Sequence, residues 1–290
     1  MNFTTSKELL SLCKEKNLSI SEIMINREIS EFHLNKEEVL NKMNLTRLVM
    51  VDSINNGKKD SKLSFTGLIG GEAKLLQEYS LKFNTISGKS VLTGAINALS
   101  VMEENSKMGR IVAAPTAGSS GIIPGTIIST ANRFKISDNR VNNALFTASA
   151  IGYIVTKNAT VSGAEGGCQA ETGTASAMAA AALVELLGGN PEQALSAASF
   201  TLKNVLGLVC DPVAGLVELP CAKRNALGVS NAMLSADMAL AGIKTKIPFD
   251  EVVEAMYRVG KKMHPDLKET AEGGIAATPT AKKFEKIIFK

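Results

Sequence analysis

An all-α fold follows from three observations on this sequence. Nearly every readable segment repeats its apolar residues at helical spacing, and capping signals precede many of these runs. No strand-period run of useful length appears, and Ile111-Val112-Ala113-Ala114 is the lone β-like stretch. The hydrophobic fraction of 45% is ample for a core, but aromatics make up 4% and Trp is absent, so the core must be built from Ala, Leu, Ile, Val and Met. Such small side chains let helices approach closely. The expected architecture is a multi-helix globular domain with glycine-rich loops and one buried Ala-rich helix.

The elements can be justified in chain order. Cys13 lies among Leu9, Leu10 and Leu12 on an amphipathic stretch and reads as a packing residue. Ser19-x-x-Glu22 is a capping box, in which each side chain satisfies a free N–H at a helix start. Asn35 stands before Lys36-Glu37-Glu38, followed by Val39, Leu40 and Met43 on one face; the pattern runs towards Val51, and Gly57 is the expected stop. Residues 1–63 therefore read as an amphipathic helical arm whose apolar faces need covering, and residues 64–290 as the domain that carries the chemistry. Helices are predicted over 89–105, 121–133, 139–156, 169–187, 191–206, 222–241 and 250–263. Asn190-Pro191-Glu192-Gln193 is a clear start, with a capping Asn, a Pro suited to the first turn and an acid that complements the dipole. The helix over 169–187 carries Ala175, Ala177 and Ala179 to Ala182; a helix apolar nearly all round is usually buried.

Charge and composition exclude several classes. A net charge of +4 without a Lys/Arg stripe interleaved with aromatics gives nucleic-acid binding little support. Four cysteines in 290 residues make no disulfide scaffold. Pro115, Pro124 and several glycines break the uncharged stretch 111–132, and Glu185 interrupts the Ala-rich one, so no segment reads as membrane-spanning. The N-terminus is polar and amphipathic, unlike a signal peptide, and the expected setting is cytoplasmic.

Glycine gathers in three loops. The first, Pro115 to Gly121, precedes an apolar helix; its free N–H groups, with the hydroxyls of Thr116, Ser119 and Ser120, form a candidate anion site, or an ordinary Gly/Ser turn. The second, Asn158 to Cys168, contains Ser162, Gly163 and Glu165. The third contains Thr270, Glu272, Gly273 and Gly274. Glu165 and Glu272 each stand just before Gly-Gly and either orient a substrate ammonium or cap backbone. His33 and His264 have no Ser/Asp frame and read as surface or capping residues.

Cys168, Cys210 and Cys221 carry the most chemical information. Each sits beside glycine, proline or acidic residues rather than in a periodic apolar run. A buried cysteine is by default a small hydrophobe, and that reading stands for each taken singly. Three thiolates cannot close a four-ligand structural zinc site, but they can hold an iron–sulfur cluster with one iron open. The C-x41-C-x10-C spacing is not that of a zinc finger and lacks the C-x2-C pairs of ferredoxin-type carriers. Cys168 precedes a helix, and the helix dipole is expected to lower its pKa.

Four segments together carry a resemblance. ATVSGAEGGCQAETG from Ala159 to Gly173, GLVCDPVAGLVELPCAKRNA from Gly207 to Ala226, PTAGSSGI from Pro115 to Ile122 and KETAEGGIAATP from Lys268 to Pro279 resemble iron–sulfur-dependent L-serine dehydratases. The resemblance covers about residues 65–280 with the motifs in the family's order. It implies a helical catalytic domain, a 4Fe–4S cluster on Cys168, Cys210 and Cys221 with one iron free of protein ligands, and conversion of L-serine to pyruvate and ammonia without pyridoxal phosphate. Substrate contacts would fall on Thr116, Ser119, Ser120, Gly121, Ser162, Gly163, Glu165, Thr270, Gly273 and Gly274. Single-chain members carry an additional N-terminal domain, so this chain looks like the alpha chain of the two-chain type and implies a beta-chain partner. The catalytic base is not evident; Lys157, just before the second loop, is the one candidate. Competing readings are a related lyase acting on L-cysteine or L-threonine, an electron-transfer or redox-sensing cluster protein, and a helical anion-binding protein with core cysteines.

Overall fold

A computed structural model describes all 290 residues. The chain forms thirteen α-helices and no strand beyond one isolated bridge between Cys210 and Lys268. They are α1 (Ser6–Lys16), α2 (Ile20–Phe32), α3 (Lys36–Lys59), α4 (Glu72–Lys82), α5 (Gly88–Ser106), α6 (Ile122–Phe134) and α7 (Asp138–Asn158). The second half supplies α8 (Gly163–Gly166), α9 (Thr174–Leu186), α10 (Pro191–Asn204), α11 (Cys221–Leu240), α12 (Phe249–Lys262) and α13 (Pro279–Ile288). Ile111–Ala114 is irregular rather than a strand. No helix is long and apolar enough to cross a membrane.

Local chemistry starts the helices where the sequence indicates. Thr5, Ser19, Asn35 and Asn190 each form a complete capping box. Gly57 departs from expectation: α3 runs through it to Lys59, and a Cβ there would fall 2.9 Å from Ser100 Cα of α5. That glycine permits a close helix crossing rather than ending a helix. The predicted helix over 169–187 has a π-turn at Gln169–Gly173 before the regular α9.

The Ala-rich α9 is the centre of the molecule. Ala175, Ala177 and Ala179 to Ala182 are fully buried, and α9 is surrounded by α6, α7, α10 and α11. Residues without side-chain bulk let four helices pack closely around this one, and their burial removes mostly methyl surface from water. A single core of 51 residues extends from here into the N-terminal helices through Phe3, Leu9, Ile20, Ile23, Met24, Val39, Met50 and Ile54. Tyr153 of α7 packs edge-on against Phe3, its ring centroid 5.5 Å away. The apolar faces of residues 1–59, for which the sequence reading sought an external cover, are thus covered by α5, α7, α10 and α12. A smaller core of eight residues joins α4 and α5 to the start of α11, and includes Cys221.

Candidate metal centre

Of the three cysteines of interest, two lie at the N-terminal ends of helical turns and the third on a loop, and all are inside the protein. Cys168 precedes the π-turn, Cys221 opens α11, and Cys210 sits on the loop between α10 and α11. They are 4%, 7% and 3% exposed and none forms a disulfide. The three thiols are within electrostatic range: charge on Cys168 or Cys221 disfavours ionisation of Cys210, and charge on Cys168 disfavours that of Cys221. Burial pushes all three pKa values up, Cys221 to about 12. This corrects the expectation of a lowered pKa at Cys168: desolvation outweighs the helix dipole, even with Thr172 Oγ1 at 3.1 Å and the Arg224 guanidinium nearby. Cys13 is the packing residue it was expected to be, buried in α1 and surrounded electrostatically by Glu185, Glu192 and Glu22 rather than by the other cysteines.

Side chains that sequence reading passed over hold this centre together. Arg224 donates to Val209 O at 2.9 Å and pairs with buried Asp211 at 2.8 Å, which places its charge beside Cys168. Asp211 also accepts the Ile275 N–H at 2.7 Å, and Cys210 N donates to Leu267 O at 2.9 Å, so the third loop is tied to the segment around Cys210. Gln169 donates to Gly166 O and Met256 O and accepts from Gly207 N, joining the second loop to α12 and to the approach to Cys210. Asn225 accepts from Gly121 N at 2.9 Å and donates to Gly118 O and Cys221 O at 2.7 and 2.8 Å, joining the first loop to α11. Their polar type, within the Gly207–Ala226 motif or just after Cys168, was the available signal.

The acidic residues at the centre differ from those expected. Glu165 and Glu272 are exposed. Glu171 and Glu269 face inward instead: the charge of each raises the pKa of Cys210, and Glu171 Oε2 lies 3.7 Å from Cys210 Sγ. Burial raises the pKa of Glu171, with Glu269 adding to the effect and Thr116 opposing it. In the first loop the hydroxyl of Ser120 donates to Ala117 O at 2.7 Å, and Ser119 and Thr116 share a 3.1 Å contact. The Gly121 N–H is taken by Asn225, so Ser120 and Gly121 serve the loop itself. The N–H groups of Ala117 and Gly118 donate to nothing within the chain, and a Cβ on Gly118 would be 3.5 Å from both Glu171 oxygens. Ser162 is half-buried and Gly163 buried; a Cβ on Gly163 would stand 2.8 Å from Cys210 Sγ and 2.6 Å from Glu171 Oε2. Thr270 is exposed and donates to Pro265 O at 3.3 Å, while Gly273 and Gly274 pack against Asp266 and Asp211. Lys157 is exposed, with its ammonium 5.5 Å from the centre of the Tyr153 ring, and no hydrogen bond or ion pair joins it to the cysteines.

No three His, Cys, Asp or Glu side chains converge tightly enough for a single metal ion. A cubane cluster puts each thiolate on its own iron and holds them farther apart than one ion does. Three free, buried, soft donors, with the space beside Cys210 kept clear by Gly163, fit such a group.

The chain is similar to known proteins over nearly its whole length. Residues 15–276 match the family described as serine dehydratase alpha chain. The chain is 49% identical over 287 residues to the probable L-serine dehydratase, alpha chain, of Bacillus subtilis, an alignment covering 99% of this chain and 95% of that one. It is 46% identical over 286 residues to the L-serine dehydratase, alpha chain, of Peptoniphilus asaccharolyticus, covering 99% and 98%. The L-serine dehydratase of Helicobacter pylori is 37% identical over 287 residues, which cover 96% of this chain but 62% of that longer protein. This chain belongs to the serine dehydratase alpha chain family.

Proposed function

We propose that this chain deaminates L-serine to pyruvate and ammonia, with Cys168, Cys210 and Cys221 as the ligands of a 4Fe–4S cluster that has one iron free of protein ligands. The observation that carries the reading is that three free, buried cysteines from three separate segments stand within electrostatic range of one another. When bound, such a cluster supplies a Lewis acid that makes the serine hydroxyl a better leaving group. The protein supplies the rest. The unpartnered N–H groups of Ala117 and Gly118 receive the substrate carboxylate. Thr116 stands beside Glu171 and adds a hydroxyl donor there. Glu171 is the residue placed to take the α-proton at Oε2, because burial makes its carboxylate a stronger base than a solvated one. Glu269 supplies the second negative charge and faces the substrate ammonium. Arg224, anchored by Asp211 and Val209 O, holds positive charge beside Cys168 and so favours its thiolate form. Loss of the α-proton and cleavage of the Cβ–O bond, with the hydroxyl leaving as water, give aminoacrylate, which leaves the site, tautomerises to the imine and hydrolyses to pyruvate and ammonia.

Cys13 lies apart from the other three, which favours this reading over a four-cysteine electron carrier. Anaerobically purified chain should be brown, with iron and sulfide near four per chain if the family's cluster is present. Cys210→Ser should lose most of the iron and all pyruvate formation, whereas Cys13→Ser should retain both. A Cys210→Ser protein with full iron and activity would overturn the assignment.

A further inference from the structure

The segment from Leu63 to Ile86 presents an apolar surface that this chain leaves uncovered. Phe65 is 98% exposed, Ile86 is fully exposed, and Leu75 and Tyr79 of α4 and Phe83 at its C-terminal cap are all exposed. These last three follow at i, i+4 and i+8, so they form one stripe, and the Tyr79 and Phe83 ring centroids lie 5.2 Å apart with their planes tilted by 32°. The helix beneath them is firmly mounted. Buried Glu103 accepts the N–H groups of Gly71 and Ala73 at 3.0 and 2.8 Å, Ala73 is buried, and Glu72 pairs with Lys223. An apolar face this dense on a fixed helix is characteristic of an interaction site.

The relatives indicate what covers it. Relatives named alpha chain are matched over 95% and 98% of their length, whereas the Helicobacter pylori dehydratase is matched over 62% and so carries 38% of its length beyond the matched region. A chain designated alpha implies a complementary chain equivalent to that surplus. We infer that the beta chain docks on the Phe65–Ile86 surface, with Leu75, Tyr79 and Phe83 as its central anchors. This rests on the functional reading above for the partner's identity.

The surface is also wired to the metal centre. The hydroxyls of Ser64 and Thr66 both donate to buried Glu218, at 2.7 and 2.6 Å, three residues before Cys221. Ile69 of the same segment belongs to the small core that contains Cys221, and Leu68 packs against it. A chain seated on this segment restrains the loop that presents the third cysteine.

The test uses the full-length alpha chain and the beta chain of the same organism. Leu75→Glu, Tyr79→Glu and Phe83→Glu are combined in one variant, whose fold is checked by circular dichroism and thermal melting. Binding to the beta chain should weaken by about 30-fold or more, as expected when buried anchors at an interface centre are lost. The control Ile287→Glu, on exposed apolar surface of α13, should bind like the unmodified chain. Hydrogen exchange on the unmodified pair should show protection over 63–86 and over 216–221. Unchanged binding by the folded triple variant would overturn the inference, as would loss of binding in the control alone, or protection confined to other segments. It would also be overturned if size-exclusion chromatography showed the face closing a dimer of alpha chains, or if no alpha–beta complex formed. Iron content and serine turnover report separately on the functional reading, so the failure of one can be told from the failure of the other.

Discussion

At the scale of single residues, buried charge is the informative quantity, and it divides by purpose. Arg224 and Asp211 form a buried pair whose remaining hydrogen bonds reach Val209 O and Ile275 N, so both ions are compensated. Glu185 is a different case. It sits half-buried on α9, accepts from Thr147 Oγ1 at 2.7 Å and from Ser21 N at 3.3 Å, and meets no cation. Burial raises its pKa above the unfolded carboxylate value. The folded chain therefore binds that proton more tightly than the unfolded one. Its contribution to stability is full below the unfolded pKa and declines as pH rises through the folded pKa. Glu185→Gln keeps an acceptor for Ser21 and an amide for the Thr147 oxygen without the buried charge. We expect its melting temperature to exceed that of the unmodified protein at pH 7 and to converge with it near pH 4. Glu185→Ala strands two buried donors and should cost ~1–3 kcal/mol at any pH. Equal pH profiles for Gln and Glu at this position would show that burial does not raise the pKa of this carboxyl.

At the scale of elements, the helices were largely legible and the loops were legible only in part. Capping boxes at Ser19 and Asn190 and the apolar period of α5, α7 and α12 are local chemistry, and the structure follows them to within a residue or two. Gly57 was misread because a glycine needed for close packing looks the same in sequence as a glycine that ends a helix. The third loop shows the deeper limit. Glu269 and Ala271 both adopt left-handed backbone, with φ of 66° and 59°. These conformations help decide that Glu269, not Glu272, turns towards Cys210, and neither residue type advertises them. The centre's hydrogen-bonded frame of Gln169, Asn225 and Arg224 joins segments distant in sequence, which no local pattern encodes. The short helix α8 offers a direct check on the space the loops enclose. Gly163 has no positive φ, so Ala is compatible with the helix itself, but its Cβ would crowd Cys210 Sγ and Glu171 Oε2. Both of those are side-chain ends that can move, so the fold should persist. Gly163→Ala should change the melting temperature of the iron-free chain little, while iron bound after anaerobic reconstitution falls several-fold. Full iron loading of this variant would mean that the space in front of Cys210 is not where the group sits.

At the scale of the whole molecule, the decisive feature is that the N-terminal helices and the Ala-rich centre share one core. The sequence separates residues 1–63 from the rest by their alternation of charge and apolar groups, which describes surface helices correctly but says nothing about what their inner faces meet. In the structure α2 lies along α7, α3 along α5, and α1 touches α10 and α12. Asp250 of α12 accepts the N–H groups of Ser6 and Lys7 at 2.7 and 3.1 Å, so even the first helix is capped by a residue near the other end of the chain. Phe3, Leu9, Ile20, Ile23, Met24, Ile25, Val39, Met50 and Ile54 all belong to the main core. At ~1.5–3 kcal/mol for each such side chain buried, these nine contribute on the order of 15–25 kcal/mol before entropy is charged against them. The chain entropy saved by removing the segment offsets part of that. The partner surfaces left on α5, α7 and α12 gain nothing in return, and net stabilities of domains are only ~5–15 kcal/mol. A chain comprising residues 60–290 should therefore fail to fold cooperatively: it should lack a sharp thermal transition, expose apolar surface to a hydrophobic dye, and bind no cluster on reconstitution. If instead it melts cooperatively within a few degrees of the full chain and takes up iron, residues 1–59 are a separable arm after all, and their inner faces would then be a second surface available to the beta chain.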